Sequence, residues 1–347
     1  MLTTTKTMRA AVITAPGQLE TRELPLPEAG PGQVRIKVVA TGVCGTDLHL
    51  LRGHFHAVLP LVPGHEIAGI IDQVGPGVRG FKEGDPVALD PVVSCGSCHY
   101  CQKGLRQHCE HYQALGVTTA GGFAEYVVAP ATNAYTVGPL PLEVAAFAEP
   151  LGCVAWGILR LRPEPASKAL LFGAGPIGLL LLQALLASGA SSVTVVDPIS
   201  ERLELARSLG ANRTLQTSPE VIPQLRDLEP YGFDIVSEAT GRTEVVQEMP
   251  NLTARGGKML IFGVSPEEAS VSFSPYQIYH HDLTVVGSFS LNATVPMALE
   301  WLSSKRVQVE SLITHRLPIE GLHQALDYKN HPGMAGAQKV LIKPDLL

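Results

Sequence analysis

Four cysteines lie close together between residues 95 and 109, at a spacing suited to holding a metal ion. Cys95, Cys98, Cys101 and Cys109 are separated by two, two and seven residues. Four thiolates on one loop can complete a tetrahedron around zinc, and they leave no coordination position for a substrate. This four-cysteine loop therefore predicts a structural zinc site, with two disulfide bonds or an iron–sulfur cluster as the alternatives.

A second set of metal-capable side chains is spread over the first half of the chain. Cys44 follows an apolar run, His65 and Glu66 are adjacent, and Glu149 stands before Pro150 in an apolar segment. Zinc accepts sulfur, nitrogen and oxygen ligands, and a catalytic zinc site keeps one position for the substrate. Each residue alone has a simpler explanation, since a lone cysteine is usually a small buried hydrophobe and a buried acid is usually paired. As a set, they indicate a catalytic metal centre.

A glycine-rich turn marks a different kind of site. Gly173, Gly175 and Gly178 have the spacing G-x-G-x-x-G, after an apolar run at 169–172 and before a helix-forming stretch. The first glycine allows a tight strand-to-helix turn, the second lets a pyrophosphate approach the backbone, and the third lets helix and strand pack closely. The helix N-terminus then offers N–H groups and a positive dipole end to phosphates. This glycine turn predicts a dinucleotide-binding site.

Asp197 indicates which dinucleotide binds. It ends the next apolar run, 19 residues after Gly178, where a carboxylate can accept hydrogen bonds from the ribose hydroxyls of adenosine. Its negative charge would repel a 2′-phosphate, and residues 198–200 supply no cation to offset that repulsion. The sequence therefore predicts NAD rather than NADP as the cofactor.

A β-rich region and a region of alternating strands and helices have to position these residues. The predicted fold class is therefore α/β. Residues 8–75 alternate short apolar runs with proline- and glycine-rich turns, which predicts a β-rich region. From residue 168 onward, apolar strands alternate with helical segments, as in a doubly wound parallel sheet. The predicted strands cover residues 9–14, 33–40, 66–74, 169–172, 193–196, 233–238, 258–262, 283–286 and 338–342, with a turn and a strand within 80–91 and a strand entry at 121–128. The predicted helices cover residues 145–156, 179–188, 200–209 and 296–303.

The composition limits the classes of protein to which the chain can belong. With 347 residues, 45% of them hydrophobic and 17% charged, the chain is long enough for two globular domains. A net charge of −6 gives no reason to expect nucleic acid or an anionic membrane as a partner. Six cysteines in so long a chain are not a disulfide framework. The N-terminus lacks a signal-peptide pattern, and Pro176 and Gln183 interrupt the apolar run at 169–187, so a cytoplasmic protein is expected.

Together these motifs resemble those of the zinc-dependent medium-chain dehydrogenase/reductase family, over nearly the whole chain. The resemblance rests on segments 42–49, 63–66 and 149–151, the four-cysteine loop, the glycine turn and Asp197. It implies a GroES-like catalytic domain built from residues 1–152, to which residues 291–347 return, and a Rossmann coenzyme domain at 153–290. The implied active site lies in the cleft between the two domains.

The resemblance implies how the metal is held. Cys44 and His65 are expected to bind a catalytic zinc ion, joined by Glu66 and Glu149 either directly or through water. A structural zinc ion is expected in the four-cysteine loop. The implied cofactors are therefore NAD and two zinc ions per chain, one catalytic and one structural.

The resemblance also implies how a proton and the dinucleotide are handled. The Thr46 hydroxyl is expected to contact the substrate oxygen, and His49 is expected to pass the released proton to solvent. His54, Phe55 and His56 are expected to line the mouth of the substrate site. The implied contacts to the dinucleotide come from Gly173, Gly175, Pro176, Ile177, Gly178, Asp197, Arg202, Val264, Ser288 and Phe289.

Glu149 points to one branch of the family. The alcohol dehydrogenases carry a cysteine at this position, whereas polyol and threonine dehydrogenases carry a segment like Ala-Glu-Pro-Leu. The following segment 152–154 favours the polyol branch, which includes sorbitol and arabitol-phosphate dehydrogenases. The expected reaction is the reversible oxidation of a secondary alcohol of a polyol or sugar alcohol, phosphorylated or not, to a ketone. The expected assembly is a homo-oligomer, either a tetramer or a dimer.

Two other functions are compatible with the same motifs. An L-threonine 3-dehydrogenase would keep the zinc and cofactor chemistry and change the substrate. A non-catalytic NAD-binding sensor would hold the structural zinc alone, and such a sensor does not require Cys44, His65 and Glu149 together. Metal content separates the sensor from the enzymes, and a substrate panel separates the two enzymes.

Overall fold

The computed structural model describes residues 6–54 and 58–346, so the expected mouth residues Phe55 and His56 lie outside the described part of the chain. The chain divides into two units. The first consists of Met1–Gly152, Leu291–Ser303 and Val309–Leu347, and the second of Cys153–Ser290 and Ser304–Gln308. The first unit is therefore assembled from stretches that are distant in sequence.

The first unit is rich in short strands, and strands and helices are numbered along the whole chain. Its strands are β1 (Thr7–Ala15), β2 (Gln18–Pro25), β3 (Gln33–Gly42), β4 (Glu66–Val74), β5 (Pro86–Leu89), β6 (Val92–Val93), β7 (Gln113–Ala114), β8 (Tyr126–Pro130), β9 (Ala134–Thr136), β16 (Ile313–Leu317) and β17 (Lys339–Ile342). Its helices are α1 (Gly45–Leu51), α2 (His99–Gln102), α3 (Leu142–Ala145), α10 (Val295–Ser303) and α11 (Leu322–Asn330). Short 3-10 helices cover Arg106–His108, Ala131–Asn133, Glu310–Leu312, Ile319–Gly321 and Met334–Gly336.

A mainly antiparallel sheet is the framework of the first unit. Its strands run in the order β16-β17-β3-β4-β5-β9, and β8 also pairs with β3. Successive side chains of a strand point to opposite faces, so Val34 and Ile36 of β3 enter one core together with Ile67 and Ile71 of β4. This alternation is the pattern that predicted the β-rich region.

The register around Gly42 brings distant segments together. Gly42 pairs with Leu341 in β17 on one side and with Glu66 in β4 on the other. A side chain at position 42 would overlap the Glu66 carboxylate, and this close approach explains the glycine. The C-terminal strand therefore lies beside the segment that carries predicted metal ligands.

The second unit contains the predicted parallel sheet. Its strands are β10 (Lys168–Phe172), β11 (Ser192–Asp197), β12 (Arg213–Gln216), β13 (Phe233–Glu238), β14 (Thr253–Ile261) and β15 (Thr284–Gly287). Its helices are α5 (Pro176–Ala187), α6 (Ser200–Ser208), α7 (Val221–Leu228), α8 (Thr243–Leu252) and α9 (Pro275–His280), and α4 (Ala148–Leu161) contains the boundary between the units. The strand order is β12-β11-β10-β13-β14-β15, and every neighbouring pair is parallel.

This strand order confirms the predicted doubly wound sheet. Chain order reverses between β10 and β13, and in such sheets a ligand binds outside the carboxyl ends of the strands at that point. The apolar run at 169–187 divides into β10 and α5, of five and 12 residues. Within residues 6–54 and 58–346, no helix combines the length and the apolar character needed to cross a membrane.

Differences between predicted and observed elements have physical causes. A single helix over 145–156 is wrong, because α3 ends at Ala145 and α4 begins at Ala148. Pro150 falls in the first turn of α4, where a missing N–H breaks no helical hydrogen bond. The predictions also omit β2, whose side chains are mostly polar and exposed and therefore carry little apolar signal.

Candidate functional site

Three predicted metal ligands come together at the start of β4 and α1. Cys44 is the N-cap residue of α1, directly after β3, and His65 and Glu66 stand where β4 begins. One ligand atom from each lies within 4.8 Å of the other two. His65 and Glu66 are buried, and Cys44 is partly exposed. We call this group, Cys44 with His65 and Glu66, the Cys44 site.

Asp47 orients the imidazole of this site. Its Oδ2 accepts a hydrogen bond from the backbone N–H of Cys44 at 2.8 Å, and its Oδ1 lies 3.6 Å from Nδ1 of His65. Neither Oδ1 nor Nδ1 has a hydrogen-bond partner among the described residues. Because Nδ1 faces Asp47, Nε2 of His65 is the nitrogen left for a metal ion. Sequence reasoning assigned Asp47 no role.

The protonation of His65 is set by its buried, acidic surroundings. Burial lowers the pKa of His65, but the charges of Cys44 and Asp47 outweigh it and raise the pKa well above its usual value. A metal ion would have to displace this proton, so metal binding here releases protons and strengthens as the pH rises.

A buried lysine stands on the other side of the site. Lys339 Nζ forms an ion pair with Glu66 Oε2, and the two side chains are only 4% and 1% exposed. The ammonium also donates to the Val43 carbonyl oxygen at 3.3 Å and lies 5.8 Å from the centre of the Phe147 ring. Burial lowers the pKa of Lys339, but the charges of Glu66, Cys44 and Glu149 raise it above its usual value.

Glu149 lies near this pair. It occupies the first turn of α4 and is buried, and its charge contributes to the raised pKa of Lys339. Its carboxylate is not among the mutually close ligand atoms found within residues 6–54 and 58–346. Three of the four predicted ligands of the catalytic ion therefore form a group, and the fourth stands beside it.

Thr46 and His49 share one face of α1, because they are three residues apart. Thr46 Oγ1 lies 3.7 Å from Cys44 Sγ. His49 Nδ1 lies 3.2 Å from Nδ1 of His54. Burial, and then the charges of His54 and Arg52, lower the pKa of His49, which keeps its imidazole neutral near pH 7.

The Cys44 site fits a zinc ion by its chemistry. Thiolate, imidazole and carboxylate are the ligand types found in catalytic zinc sites. The Asp47 and His65 atoms that face each other lack other partners, which is the arrangement that orients a ligating histidine. Three protein ligands would leave a position for the substrate.

The four-cysteine loop forms a second group of ligands. The sulfur atoms of Cys95, Cys98, Cys101 and Cys109 lie within 4.8 Å of one another, and all four cysteines are free. Cys98 N–H donates to Cys95 Sγ at 3.4 Å, and the N–H groups of Cys95 and His111 donate to Cys109 Sγ at 3.3 Å. No disulfide joins these four cysteines, and their sulfur atoms fit one tetrahedral ion.

The thiols of this loop differ widely in their pKa values. Backbone N–H groups lower the pKa of Cys95 to about 6 and also lower that of Cys98. Loss of hydration and neighbouring thiols raise the pKa of Cys101 to about 11. A thiol keeps its proton when its neighbours are thiolates, because ionisation would bring like charges together. A bound dication relieves that repulsion.

Arg106 and Asn292 fasten the four-cysteine loop to the first unit. The Arg106 guanidinium lies 3.4 Å from the buried carboxylate of Asp90 and donates to the Val92 carbonyl oxygen at 3.0 Å. Asn292 accepts from Arg106 N–H at 3.2 Å and donates to the Gly104 carbonyl oxygen at 2.7 Å. These contacts join the loop to the rest of the first unit through groups other than its cysteines.

The glycine turn has the geometry that its spacing predicts. Gly173 has a φ of +98°, which favours glycine, and Gly175 is the N-cap residue of α5, followed by Pro176 and Ile177 in the first turn. A Cβ on Gly178 would overlap the carbonyl oxygen of Gly173. Helix α5 therefore begins against the end of β10 and points its N-terminus toward the carboxyl edge of the sheet.

Asp197 and Arg202 lie beside this turn. Asp197 is buried at the end of β11, and its two oxygens accept from the N–H groups of Ala174 at 2.7 Å and Ile199 at 2.9 Å. Arg202 Nη1 lies 3.9 Å from the point where a Cβ on Gly175 would stand. Burial lowers the pKa of Arg202, and the charge of Asp197 offsets part of that effect. Among the described residues, Arg202 Nε is buried without a hydrogen-bond partner.

A buried carboxylate ties two turns together at the same edge of the sheet. Glu238 ends β13, and its Oε2 accepts from the N–H groups of Thr240 and Gly241, both at 2.9 Å. Its Oε1 accepts from the N–H groups of Gly263 at 2.8 Å and Phe262 at 3.2 Å. Glu238 thereby fixes the turn after β13 against the turn after β14. Sequence reasoning assigned it no role.

The remaining predicted contacts to the dinucleotide follow the ends of the outer strands. Val264 stands shortly after β14 and is exposed, and Ser288 and Phe289 follow β15 directly. Because parallel strands end at one edge, these residues lie on the same side of the sheet as the glycine turn and Asp197.

Two family profiles match the chain. The profile of the alcohol dehydrogenase GroES-like domain covers residues 30–140, and that of the zinc-binding dehydrogenases covers residues 176–304. D-arabinitol dehydrogenase 1 of Uromyces fabae is 37% identical over 320 residues, or 90% of this chain and 90% of the relative. D-altritol 5-dehydrogenase of Agrobacterium fabrum is 38% identical over 320 residues, or 90% of this chain and 93% of the relative.

A solved structure has the same fold over nearly the full length. A zinc-binding dehydrogenase from Sinorhizobium meliloti, crystallised with NADP, superposes with a TM-score of 0.92 at 33% identity. The superposition covers 98% of this chain and 100% of the other. The fold and the family profiles therefore agree over both units.

Proposed function

Because the chain belongs to the zinc-dependent medium-chain dehydrogenases, we propose that it oxidises a secondary alcohol of a polyol or sugar alcohol to a ketone. The reaction removes a hydride, which NAD accepts, and a proton, which leaves to solvent. The observation that carries the proposal is the Cys44 site, in which a partly exposed thiol, a buried imidazole and a buried carboxylate lie within 4.8 Å of one another. The assignment to polyols rests on the arabinitol and altritol dehydrogenases among the relatives.

Cys44, His65 and Glu66 would hold the catalytic ion, and Glu149, whose charge acts on Lys339 beside them, would exchange with a ligand or act through water. When bound, zinc supplies Lewis acidity that makes a substrate hydroxyl easier to deprotonate. Asp47 keeps the His65 ring turned so that its Nε2 faces the ligand group. The four-cysteine loop would hold the second, structural ion.

Thr46 and His49 form the proposed proton route. The Thr46 hydroxyl lies beside Cys44 Sγ, where it can accept a proton from the substrate hydroxyl and donate one onward. His49, on the same helix face and in contact with His54, is neutral near pH 7 and can take that proton toward solvent. Substitution of Thr46 by valine would break this route and keep the shape of the helix.

NAD is the proposed hydride acceptor because of the charge of Asp197. A 2′-phosphate near this carboxylate would suffer repulsion worth several kcal/mol, or more than tenfold in affinity. Two observations favour NADP instead: Arg202 offers a cation near Gly175, and the Sinorhizobium neighbour was crystallised with NADP. Titration with NADH and NADPH should give at least about tenfold tighter NADH binding, and Asp197→Ala should narrow the gap. Equal affinities in the native protein would contradict the proposal.

The central test combines metal content with turnover. Native protein should contain two zinc ions per chain, and Cys44→Ser should contain one, lose turnover and still bind NADH. Cys153→Ser is the matched control, because this cysteine forms no disulfide and is outside both ligand groups, and it should keep two ions and full turnover. Full activity of Cys44→Ser would refute the mechanism, and one ion in native protein would favour the sensor.

A substrate panel tests the polyol assignment. Sorbitol, xylitol, arabitol and their phosphates are compared with L-threonine, each with NAD and NADP. We expect the highest kcat/KM for a polyol or polyol phosphate with NAD. Preference for L-threonine would identify the threonine 3-dehydrogenase alternative. Light scattering on the same sample tests the expected dimer or tetramer.

A further inference from the structure

We propose that Lys339 is a positioning residue that determines how Glu66 binds the catalytic ion. In this proposal the Lys339 ammonium holds Glu66 Oε2, so that the carboxylate offers the metal one oxygen and not two. The inference rests on the proposed function, since it assumes that an ion binds at the Cys44 site.

The position of Lys339 is fixed by the sheet. β17 pairs with β3 through Leu341 and Gly42, and this register carries the lysine side chain into the buried space beside Glu66. The ammonium is further held by the Val43 carbonyl oxygen at 3.3 Å and by the face of the Phe147 ring. Because Lys339 is only 4% exposed, solvent has little opportunity to replace it as the partner of Glu66.

Crowding limits the freedom of the carboxylate as well. The missing side chain at Gly42 leaves a space that Glu66 Oε2 fills, and Lys339 Cε borders the same space at 2.7 Å from the position of a Cβ. Glu66 therefore cannot swing both oxygens toward Cys44 and His65 without leaving Lys339. An ion pair buried to this extent is not broken easily, since either charge alone would lack a partner.

The Lys339 ammonium is the cation that is paired with the buried Glu66 carboxylate. Without the ammonium, a bound dication would be the remaining partner for both oxygens of Glu66. A carboxylate that binds by both oxygens fills one more coordination position, which a catalytic site has to keep for its substrate.

Lys339→Met tests the proposal, because methionine replaces the ammonium by an apolar chain of similar length. Metal-free protein is titrated with Zn²⁺ against a competing chelator, and in parallel Co²⁺ is bound at the Cys44 site while the four-cysteine loop keeps zinc. We expect the variant to bind Zn²⁺ at this site about tenfold more tightly, a change within the range caused by residues behind the ligands. Its Co²⁺ absorption should weaken, because the coordination number rises. Lys339→Arg keeps the charge and should retain the native affinity and spectrum.

Lys343→Met is the matched control. This lysine is on the same C-terminal segment, and its ammonium pairs with Glu143 at 2.8 Å, not with Glu66. It should bind Zn²⁺ and Co²⁺ as native protein does. Native affinity together with a native Co²⁺ spectrum in Lys339→Met would overturn the proposal.

A double variant keeps the test decisive if Lys339→Met does not fold. Glu66→Gln with Lys339→Met removes both charges of the buried pair and leaves no lone ion. If Lys339 acts through Glu66, the double variant binds Zn²⁺ as Glu66→Gln alone does, whereas a further change in affinity would overturn the proposal. Failure of the native protein to bind an ion through Cys44 would refute the proposed function itself, and the native sample alone reveals it.

Discussion

Gly42→Ala tests how closely the metal-binding carboxylate is packed. A Cβ at this position would overlap Glu66 Oε2, and it would lie 2.9 Å from Glu66 Cδ and 2.7 Å from Lys339 Cε. Ordinary contacts of a Cβ are 3.4 Å or longer, so both side chains must move. Gly42 has no positive φ, and alanine therefore adds no backbone strain. The steric overlap is the whole of the perturbation in the folded state.

Two opposing contributions set the expected size of the effect. Overfilling a packed interior costs about 1–3 kcal/mol. Alanine in place of glycine restricts the unfolded chain, which stabilises the fold by about 0.4–1 kcal/mol. We therefore expect the free energy of unfolding of metal-free Gly42→Ala to fall by about 1–2 kcal/mol. Zinc binding should weaken by about tenfold, because Glu66 is pushed from its place among the ligands.

Gly45→Ala is the control for this experiment. A Cβ on Gly45 meets no atom within 4 Å, and its φ also suits alanine. Its stability should equal or exceed that of the native protein, and its zinc affinity should be native. Urea unfolding measures the first quantity, and chelator competition measures the second. Identical results for the two variants would show that Glu66 and Lys339 are not packed closely against Gly42.

Three further predictions concern positioning, metal removal and pH. Asp47→Asn keeps the hydrogen-bond acceptor but removes the charge that faces His65, so zinc affinity should fall by about 10–100-fold. The urea midpoint should change little. A zinc affinity equal to that of the native protein in chelator competition would contradict this prediction. In zinc-stripped protein, the rate at which Cys95 reacts with iodoacetamide should rise with pH with a midpoint near 6, because backbone N–H groups lower the pKa of this thiol to about 6. Mass spectrometry of the modified protein measures this rate. A midpoint near 9, the usual thiol value, would refute the prediction. A hydrogen bond from Arg316, followed by a hydrogen bond from Lys343 and the charges of both residues, lowers the pKa of Glu143. The contribution of Glu143 to stability is therefore present above the usual carboxyl pKa of 4.5 and is lost as the pH falls through the lowered pKa. Glu143→Gln should therefore destabilise the protein by up to about 1 kcal/mol near neutral pH and less in acid, and an equal loss at both pH values in urea unfolding would be inconsistent with that pKa.

The sequence is most informative where the chemistry is local. The four-cysteine loop contains all its ligands within a single stretch, and the glycine turn requires only that a strand precede it and a helix follow. Buried parallel strands such as β10 and β11 are short apolar runs, so their positions follow from composition. The grouping of Cys44 with His65 and Glu66 needed the family resemblance, because nothing local relates α1 to the start of β4.

The remaining residues depend on contacts that no local pattern encodes. Lys339 opens a four-residue strand that is otherwise apolar, and only the pairing of β17 with β3 brings it to Glu66. Asp47 and Glu238 did carry a signal, since one is an acid in the first turn of a helix capped by a predicted ligand and the other ends an apolar strand as Asp197 does. Their partners, however, are set by tertiary packing.

The carboxylate of Glu238 also controls the polarity that a ligand meets at the rim of the parallel sheet. The main-chain donors of Thr240, Gly241, Phe262 and Gly263 are all consumed inward by this one anion. These four N–H groups are therefore not available to a ligand at this part of the sheet edge. The opposite character prevails at the start of α5, where a helix N-terminus favours phosphate. One buried acid thus makes the two ends of this sheet edge differ in the backbone donors that they leave for a ligand.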